Sequence, residues 1–186
     1  METKKKAKPK YVYKVIDSPV GKLKLVASEN GLAAILWEND DPHRVRLSPV
    51  EEDTAHSLLV EAEQQLNEYF NGERKSFSLR LDPGGTPFQD RVWQALLSIP
   101  FGQTRSYGEL AEQLGSAKAS RAVGAANGRN PIAIVVPCHR VIGASGELTG
   151  FAGGLEIKKR LLALEGEQGG ELKRKNLAVS RPAKRA

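Results

Sequence analysis

Apolar residues in the first part of the chain fall at every second position, and further on at every third or fourth. That change of period divides the sequence into strands and helices. Residues 11–16 read as a strand, closed by a Ser18-Pro19-Val20-Gly21 turn. Residues 22–28 alternate, with Leu23, Leu25 and Ala27 on one face, and Glu29-Asn30-Gly31 marks a hairpin into a return strand at 32–37. Asp40-Asp41-Pro42 breaks the pattern. Between 54 and 70, Leu58, Leu59, Ala62, Leu66, Tyr69 and Phe70 follow the spacing of an amphipathic helix, which Asn71-Gly72 ends. One further strand is expected at 77–81, and Asp82-Pro83-Gly84-Gly85 has the composition of a linker.

Beyond the linker the helical period takes over. Thr86 caps a helix with Pro87 at its first position and Phe88, Val92, Ala95 and Ile99 as its buried stripe; Pro100-Phe101-Gly102 stops it. Ser106-x-x-Glu109 is a capping box for a second helix at 107–114, closed by Gly115. A third begins near Ser116 and runs to Gly128 through Ala119, Ala122, Ala125, Ala126 and Gly124, with a single long basic residue, Arg121, in its middle. Two short helices about a glycine turn have the form of a helix-turn-helix, and the bare alanine face lets the backbone approach a groove wall closely. Five apolar residues, 132–136, read as a short buried strand between Pro131 and Pro137. A Gly/Ser-rich loop at 143–154 and a last helix at 155–165 follow. The expected architecture is α+β: a small N-terminal antiparallel sheet with a helix over 11–82, then a mostly helical domain over 86–166.

Charge changes this picture more than composition does. The net +6 over 186 residues is unevenly placed. Residues 1–10 hold five lysines against one glutamate, and 166–186 hold six basic residues against two acidic. Residues 11–100 carry nine basic and fourteen acidic side chains, whereas 101–165 carry eight and five. Basic character therefore sits in the tails, 1–10 and 167–186, and in the half containing Cys138. That asymmetry points to a C-terminal domain facing nucleic acid and an acidic N-terminal one that need not touch it. No apolar stretch approaches the ~20 residues of a membrane span, and residues 1–10 lack the apolar segment of a secretory signal. One cysteine allows neither an intramolecular disulfide nor a thiolate zinc cluster, which suits a reducing compartment, cytoplasm or nucleus.

That cysteine, Cys138, follows the apolar run at once, where backbone can hold a side chain to small tolerances. A thiol attacks only as thiolate, so it needs a base or a positive field beside it. His139 is adjacent in sequence but points to the opposite face of an extended chain. It can serve Cys138 only if the chain turns there, or through one bridging water. His43 and His56 stand apart from any metal-ligand spacing and read as structural or solvated.

Pro137-Cys138-His139-Arg140-Val141, following Asn130-Pro131 and an apolar segment, resembles the O6-alkylguanine-DNA alkyltransferases, DNA-repair proteins consumed by accepting an alkyl group on a cysteine. The resemblance runs from about Tyr11 to Gly166 and is strongest from Thr86 onward. It implies a ribonuclease H-like N-terminal unit ahead of a winged helix-turn-helix-type domain. It also implies irreversible, stoichiometric transfer from O6-alkylguanine, and from O4-alkylthymine, in double-stranded DNA bound through the minor groove with the damaged base flipped out. In that scheme Cys138 is the nucleophile and acceptor, His139 a base acting through water, and Glu165 the carboxylate orienting His139. Asn130 is a hinge, and Tyr107 gives a proton to the base. Val141 by its carbonyl and Ser145 by its backbone meet the guanine edge, while Phe151, Ala152 and Gly153 line the pocket mouth. Arg121 fills the space left in the duplex. Ser120, Ala122, Gly124, Ala125, Ala126, Arg129, Thr104 and Ser106 are the further expected DNA contacts. Family members that bind zinc use N-terminal Cys and His ligands missing here, so no metal and no cofactor is expected. The expected state is a monomer in the cytoplasm, or in the nucleus of a eukaryote, with no membrane partner. On the residues alone two other readings stay open: a helix-turn-helix DNA-binding module with Cys138 structural, and a cysteine hydrolase. Methyl-labelled DNA separates them, because only the transferase keeps the label.

Overall fold

A computed structural model describes residues 10–47 and 50–168. The alternating segments form a four-stranded sheet in the order β3-β2-β1-β4, with β1 (Tyr11–Ile16), β2 (Leu23–Ala27), β3 (Leu32–Trp37) and β4 (Val50–Glu52). β2 pairs antiparallel with both neighbours, and β4 adds a short parallel edge to β1. β4 was not expected, because Val50-Glu51-Glu52 is too short and too charged to show a period. Helix α1 (Ser57–Phe70) lays Leu59, Ala62, Leu66 and Tyr69 against the sheet, all without solvent exposure. The segment expected as a strand at 77–81 supplies a single bridge, Leu81 to Leu32. It passes the hairpin so closely that a Cβ on Gly31 would lie 2.7 Å from the Arg80 carbonyl oxygen, which only glycine permits.

Helix α2 (Pro87–Leu97) starts on a capping box in which Thr86 and Gln89 exchange side-chain and backbone bonds. Trp93 joins Val92, Ala95 and Leu96 on its buried face, and its Nε1 donates to the Ala126 carbonyl at 2.9 Å. Helix α3 (Tyr107–Gln113) begins on the Ser106–Glu109 capping box. The third helix opens as a 3-10 turn, Ala117–Ala119, and continues as α4 (Ser120–Gly128), packed on both α2 and α3. A two-residue parallel pair, β5 (Arg105–Ser106) with β6 (Val141–Ile142), ties the start of α3 to the chain after Cys138. Helix α5 (Leu155–Gln168) closes the described chain. One hydrophobic core runs through both halves, joining Leu25, Ile35 and Tyr69 to Val92, Leu110, Ile132 and Leu161.

The apolar run 132–136 is not the expected strand. All five residues are buried. Ile132 makes one bridge to Ile35, and the chain then folds back: the Val136 N–H donates to the Ile132 carbonyl and the Val135 N–H to the Ala133 carbonyl, each at 2.9 Å. Ile134 sits at φ 74°, a costly conformation for a β-branched residue. Asn130 clamps both ends of the turn. Its Nδ2 donates to the Val136 carbonyl at 2.8 Å, and its Oδ1 accepts from the Ile132 N–H at 3.0 Å. An apolar run records burial, not the direction of the chain.

Candidate active site

The clamped turn delivers the chain into a second one, the 3-10 turn Cys138–Arg140. Cys138 is 5% exposed and stands in the wall of a cleft of about 260 Å³, lined also by Tyr107, Asn127, Asn130, Phe151 and Arg44. Burial pushes its thiol up; the Asn130 amide, Lys158 and Arg44 pull it part of the way back. Lys158 is itself fully buried, donating to the Val141 carbonyl at 2.6 Å and to the Thr149 carbonyl at 2.8 Å. Burial brings its ammonium down to about 8, against a smaller pull upward from Cys138. A cation held by neutral carbonyls, with no carboxylate bonded to it among the described residues, can support a developing thiolate.

His139 and Glu165 are both without solvent exposure, and His139 Nε2 lies 2.7 Å from Glu165 Oε1. Burial alone would raise the Glu165 carboxyl, but His139 and Arg140 outweigh it and hold it well below the usual carboxylate range. An ionised Glu165 only accepts, so Nε2 carries a proton, and in the neutral imidazole Nδ1 is then the acceptor. That atom is buried and has no partner among the described residues. Arg140 grips the carboxylate with Nε to Oε2 and Nη2 to Oε1, both at 2.9 Å, and gives Nη1 to the Ile99 carbonyl at 2.7 Å. Tyr69 Oη donates to Glu165 Oε1 at 2.8 Å, and the Gly102 N–H to Oε2 at 3.3 Å. The arrangement is an imidazole with one buried, unpartnered nitrogen, next in the chain to a thiol and held at its other nitrogen by a charged, saturated carboxylate.

The other expected residues are distributed as follows. Tyr107 lines the cleft with its hydroxyl 2.7 Å from Thr149 Oγ1, and its ring lies 3.6 Å from where a Cβ on Gly124 would be. A Cβ at 124 would stand in ordinary contact with that ring. The Val141 carbonyl, expected to meet guanine, is taken by Lys158. Ser145 is exposed on the loop, its hydroxyl bonded to Glu147, and is not among the residues lining the cleft. Phe151 and Ala152 do line it. Phe151 leans edge-on against Trp37 at 5.3 Å, and Gly153 packs so closely on the same indole that a Cβ would come within 2.9 Å. Arg121 is the second residue of α4 rather than its middle, and is exposed together with Ala122, Ala125 and Arg129. Ala126 is removed from that face: it is 3% exposed and its carbonyl serves Trp93, so it belongs to the core. Ser120 and Thr104 are half-buried, and Ser106 Oγ is spent on its helix cap.

Five site residues escaped the sequence reading: Arg44, Tyr69, Arg140, Thr149 and Lys158. Lys158 had a visible signal, since it shares the spacing of Leu161, Leu162 and Glu165 on the buried face of α5. Tyr69 had none, being one more apolar position on α1. Arg44, paired with Asp40, gives Nη1 to the Asn130 carbonyl at 2.5 Å from a loop on the far side of the sequence. Among the described residues no group of three His, Cys, Asp or Glu side chains is placed to hold a metal ion, and no helix is long and apolar enough to cross a membrane.

Residues 11–83 match the family model of the 6-O-methylguanine DNA methyltransferase ribonuclease-like domain, and residues 87–167 that of its DNA binding domain. A Methanosarcina acetivorans relative named methylated-DNA–protein-cysteine methyltransferase is 52% identical over 155 residues, 83% of this chain and 97% of its own. A Mycobacterium bovis protein of the same name is 53% identical over 155 residues, 82% of this chain and 91% of its own. The solved structure of Mycobacterium tuberculosis OGT in complex with DNA is similar with a TM-score of 0.77 and 50% identity, covering 84% of this chain and 94% of that one. With both halves matched by family models, and relatives above half identity along more than four fifths of the sequence, the chain belongs to the 6-O-methylguanine DNA methyltransferase family.

Proposed function

We propose that the protein repairs DNA by moving an alkyl group from O6 of guanine to Cys138 Sγ, once per molecule. The observation that carries this is Cys138 and Tyr107 lining one cleft, with the unpartnered Nδ1 of His139 on the residue next to Cys138 in the chain. The thiol proton passes through one bridging water to Nδ1, and Glu165 stabilises the cation that forms. Sγ then attacks the alkyl carbon in line. The S–C bond forms, the C–O6 bond breaks, and its electron pair goes to the purine. Tyr107 protonates the purine and is reprotonated with the proton taken from the thiol, so the products are guanine and a thioether. A thioether is no leaving group at neutral pH, which makes the transfer irreversible and stoichiometric. O4-alkylthymine offers the same aryl ether and is the second substrate.

Double-stranded DNA lies with its minor groove on α4, and the damaged base turns out into the cleft while Arg121 occupies its place in the stack. Flipping costs a few kcal/mol, which a stacked cation partly offsets. Residues 86–166 form the DNA-binding and transfer domain and 11–82 the N-terminal domain of a cytoplasmic monomer. Of the basic tails 1–10 and 167–186, residues 1–9 and 169–186 lie outside the described residues; the tails' charge suits phosphate.

The test uses duplex DNA carrying labelled O6-methylguanine or O4-methylthymine. Wild type should retain one equivalent of label, and Cys138→Ala and Cys138→Ser none, while both variants still bind DNA. Label on Cys138→Ala, or none on wild type, refutes the transfer.

A further inference from the structure

The N-terminal unit carries no residue to which the reaction above assigns a part, yet one of its side chains reaches the buried carboxylate. Tyr69, on α1, lies 96 positions before Glu165 in the chain and is completely buried; its hydroxyl donates to Oε1 at 2.8 Å. That is the oxygen which also holds His139 Nε2 at 2.7 Å and Arg140 Nη2 at 2.9 Å. The ring is fixed by edge contacts with Phe70 at 5.4 Å and Phe101 at 6.1 Å, so the hydroxyl cannot swing away without repacking. Burial first, and then Glu165 itself, push the phenol well above its ordinary value, which leaves it a donor throughout the working range.

We infer that Tyr69 is a positioning residue for the transfer: by sharing Oε1 of Glu165 with His139, it fixes the carboxylate and sets how strongly His139 holds a proton. The inference rests on the alkyl transfer proposed above. An anionic oxygen divides its field among its donors, and hydrogen bonds to the charged form make it a weaker partner for any one of them. Without the hydroxyl, Oε1 serves only His139 and Arg140, and the imidazolium gains. The other charged groups near this pair are Arg140 on the same turn, Lys75 and Arg140 over the Phe101 ring, and Lys158 and Arg44 beside Cys138. The substitution leaves all of them in place.

The experiment is the pH profile of alkyl transfer from a free O6-alkylguanine base, which removes DNA binding from the measurement. Tyr69→Phe keeps the ring and its packing. The acid limb of its profile should move to higher pH by about half a unit to one unit, so that transfer near the foot of the limb falls by about three- to tenfold. A purely structural tyrosine would lower the melting temperature and leave the midpoint where it is. For that reason melting and the His139 ring-proton titration by NMR are measured on the same samples. A limb that stays in place, moves down, or is absent from both proteins overturns the inference, as does an unmoved His139 titration. If wild type transfers no alkyl group at all, the functional reading fails instead, and the two failures are told apart by the wild-type trace alone.

Discussion

Five donors converge on the Glu165 carboxylate, two of them from Arg140. A buried charge so paired contributes little beyond an apolar substitute, but removing one partner strands the other. Glu165→Gln should therefore cost ~3–5 kcal/mol by leaving Arg140 uncompensated, a fall in melting temperature on the order of 10 °C. The pH dependence has a definite sign. The folded carboxyl lies below its ordinary 4.5, so its contribution is present above that value and is lost as pH falls below it. The stability gap between wild type and variant, measured by urea unfolding, should narrow from about pH 5 downward; a constant gap would mean Glu165 is not charged in the fold. Cys138, His139 and Glu165 were all legible as candidates from their motif and its resemblance. Arg140 was in that motif without a part, because nothing in so short a motif shows which of its charged residues turns inward.

At the scale of elements, the caps were legible and the turns were not. Thr86 and Ser106 announce their helices through oxygen, proline and glutamate at fixed offsets, a local chemistry that needs no tertiary contact. Residues 132–136 hold equally local information, but that information is apolarity, which a strand and a buried turn satisfy alike. Helix α4 presents Arg121, Ala122 and Ala125 outward and Val123 and Ala126 inward. Arg121→Ala should then reduce transfer from duplex DNA by tenfold or more while leaving the free base almost untouched, since a side chain that stabilises the flipped state does nothing for a base already free. Single-turnover rates on the two substrates decide this, and equal losses would remove Arg121 from any part in flipping.

Across the whole molecule, the N-terminal unit braces the site at four places. Ile35 bridges Ile132, Trp37 backs Phe151 and Gly153, Arg44 holds the Asn130 carbonyl, and Tyr69 reaches Glu165. Arg44 and Asp40 expose only 11% and 7% of their side chains, so breaking that pair strands a buried charge. Arg44→Met should cost about 3 kcal/mol. Adding Asp40→Leu should return most of that stability, because both charges are then gone. It should not return the transfer rate, because the Asn130 carbonyl still lacks its donor. Denaturant midpoints and transfer rates on the three proteins test this, and a rate that recovers with stability would reduce Arg44 to a strut.

The sequence by itself determined the strand and helix periods, the caps, the lone nucleophile and its family, since each is written in neighbouring residues or in a motif a few positions long. It also located the acidic and basic halves, and suggested from them an N-terminal domain that need not touch nucleic acid. Only the tertiary structure decided that this half supplies Tyr69 and Arg44, that Lys158 turns inward beside the thiol, and that the chain at Cys138 turns instead of running straight. Those outcomes depend on residues far apart in sequence meeting in one low-dielectric core, where a hydroxyl or an ammonium must find a partner or pay heavily in solvation. Which partner it finds is fixed by packing, and packing leaves no periodic mark on the chain.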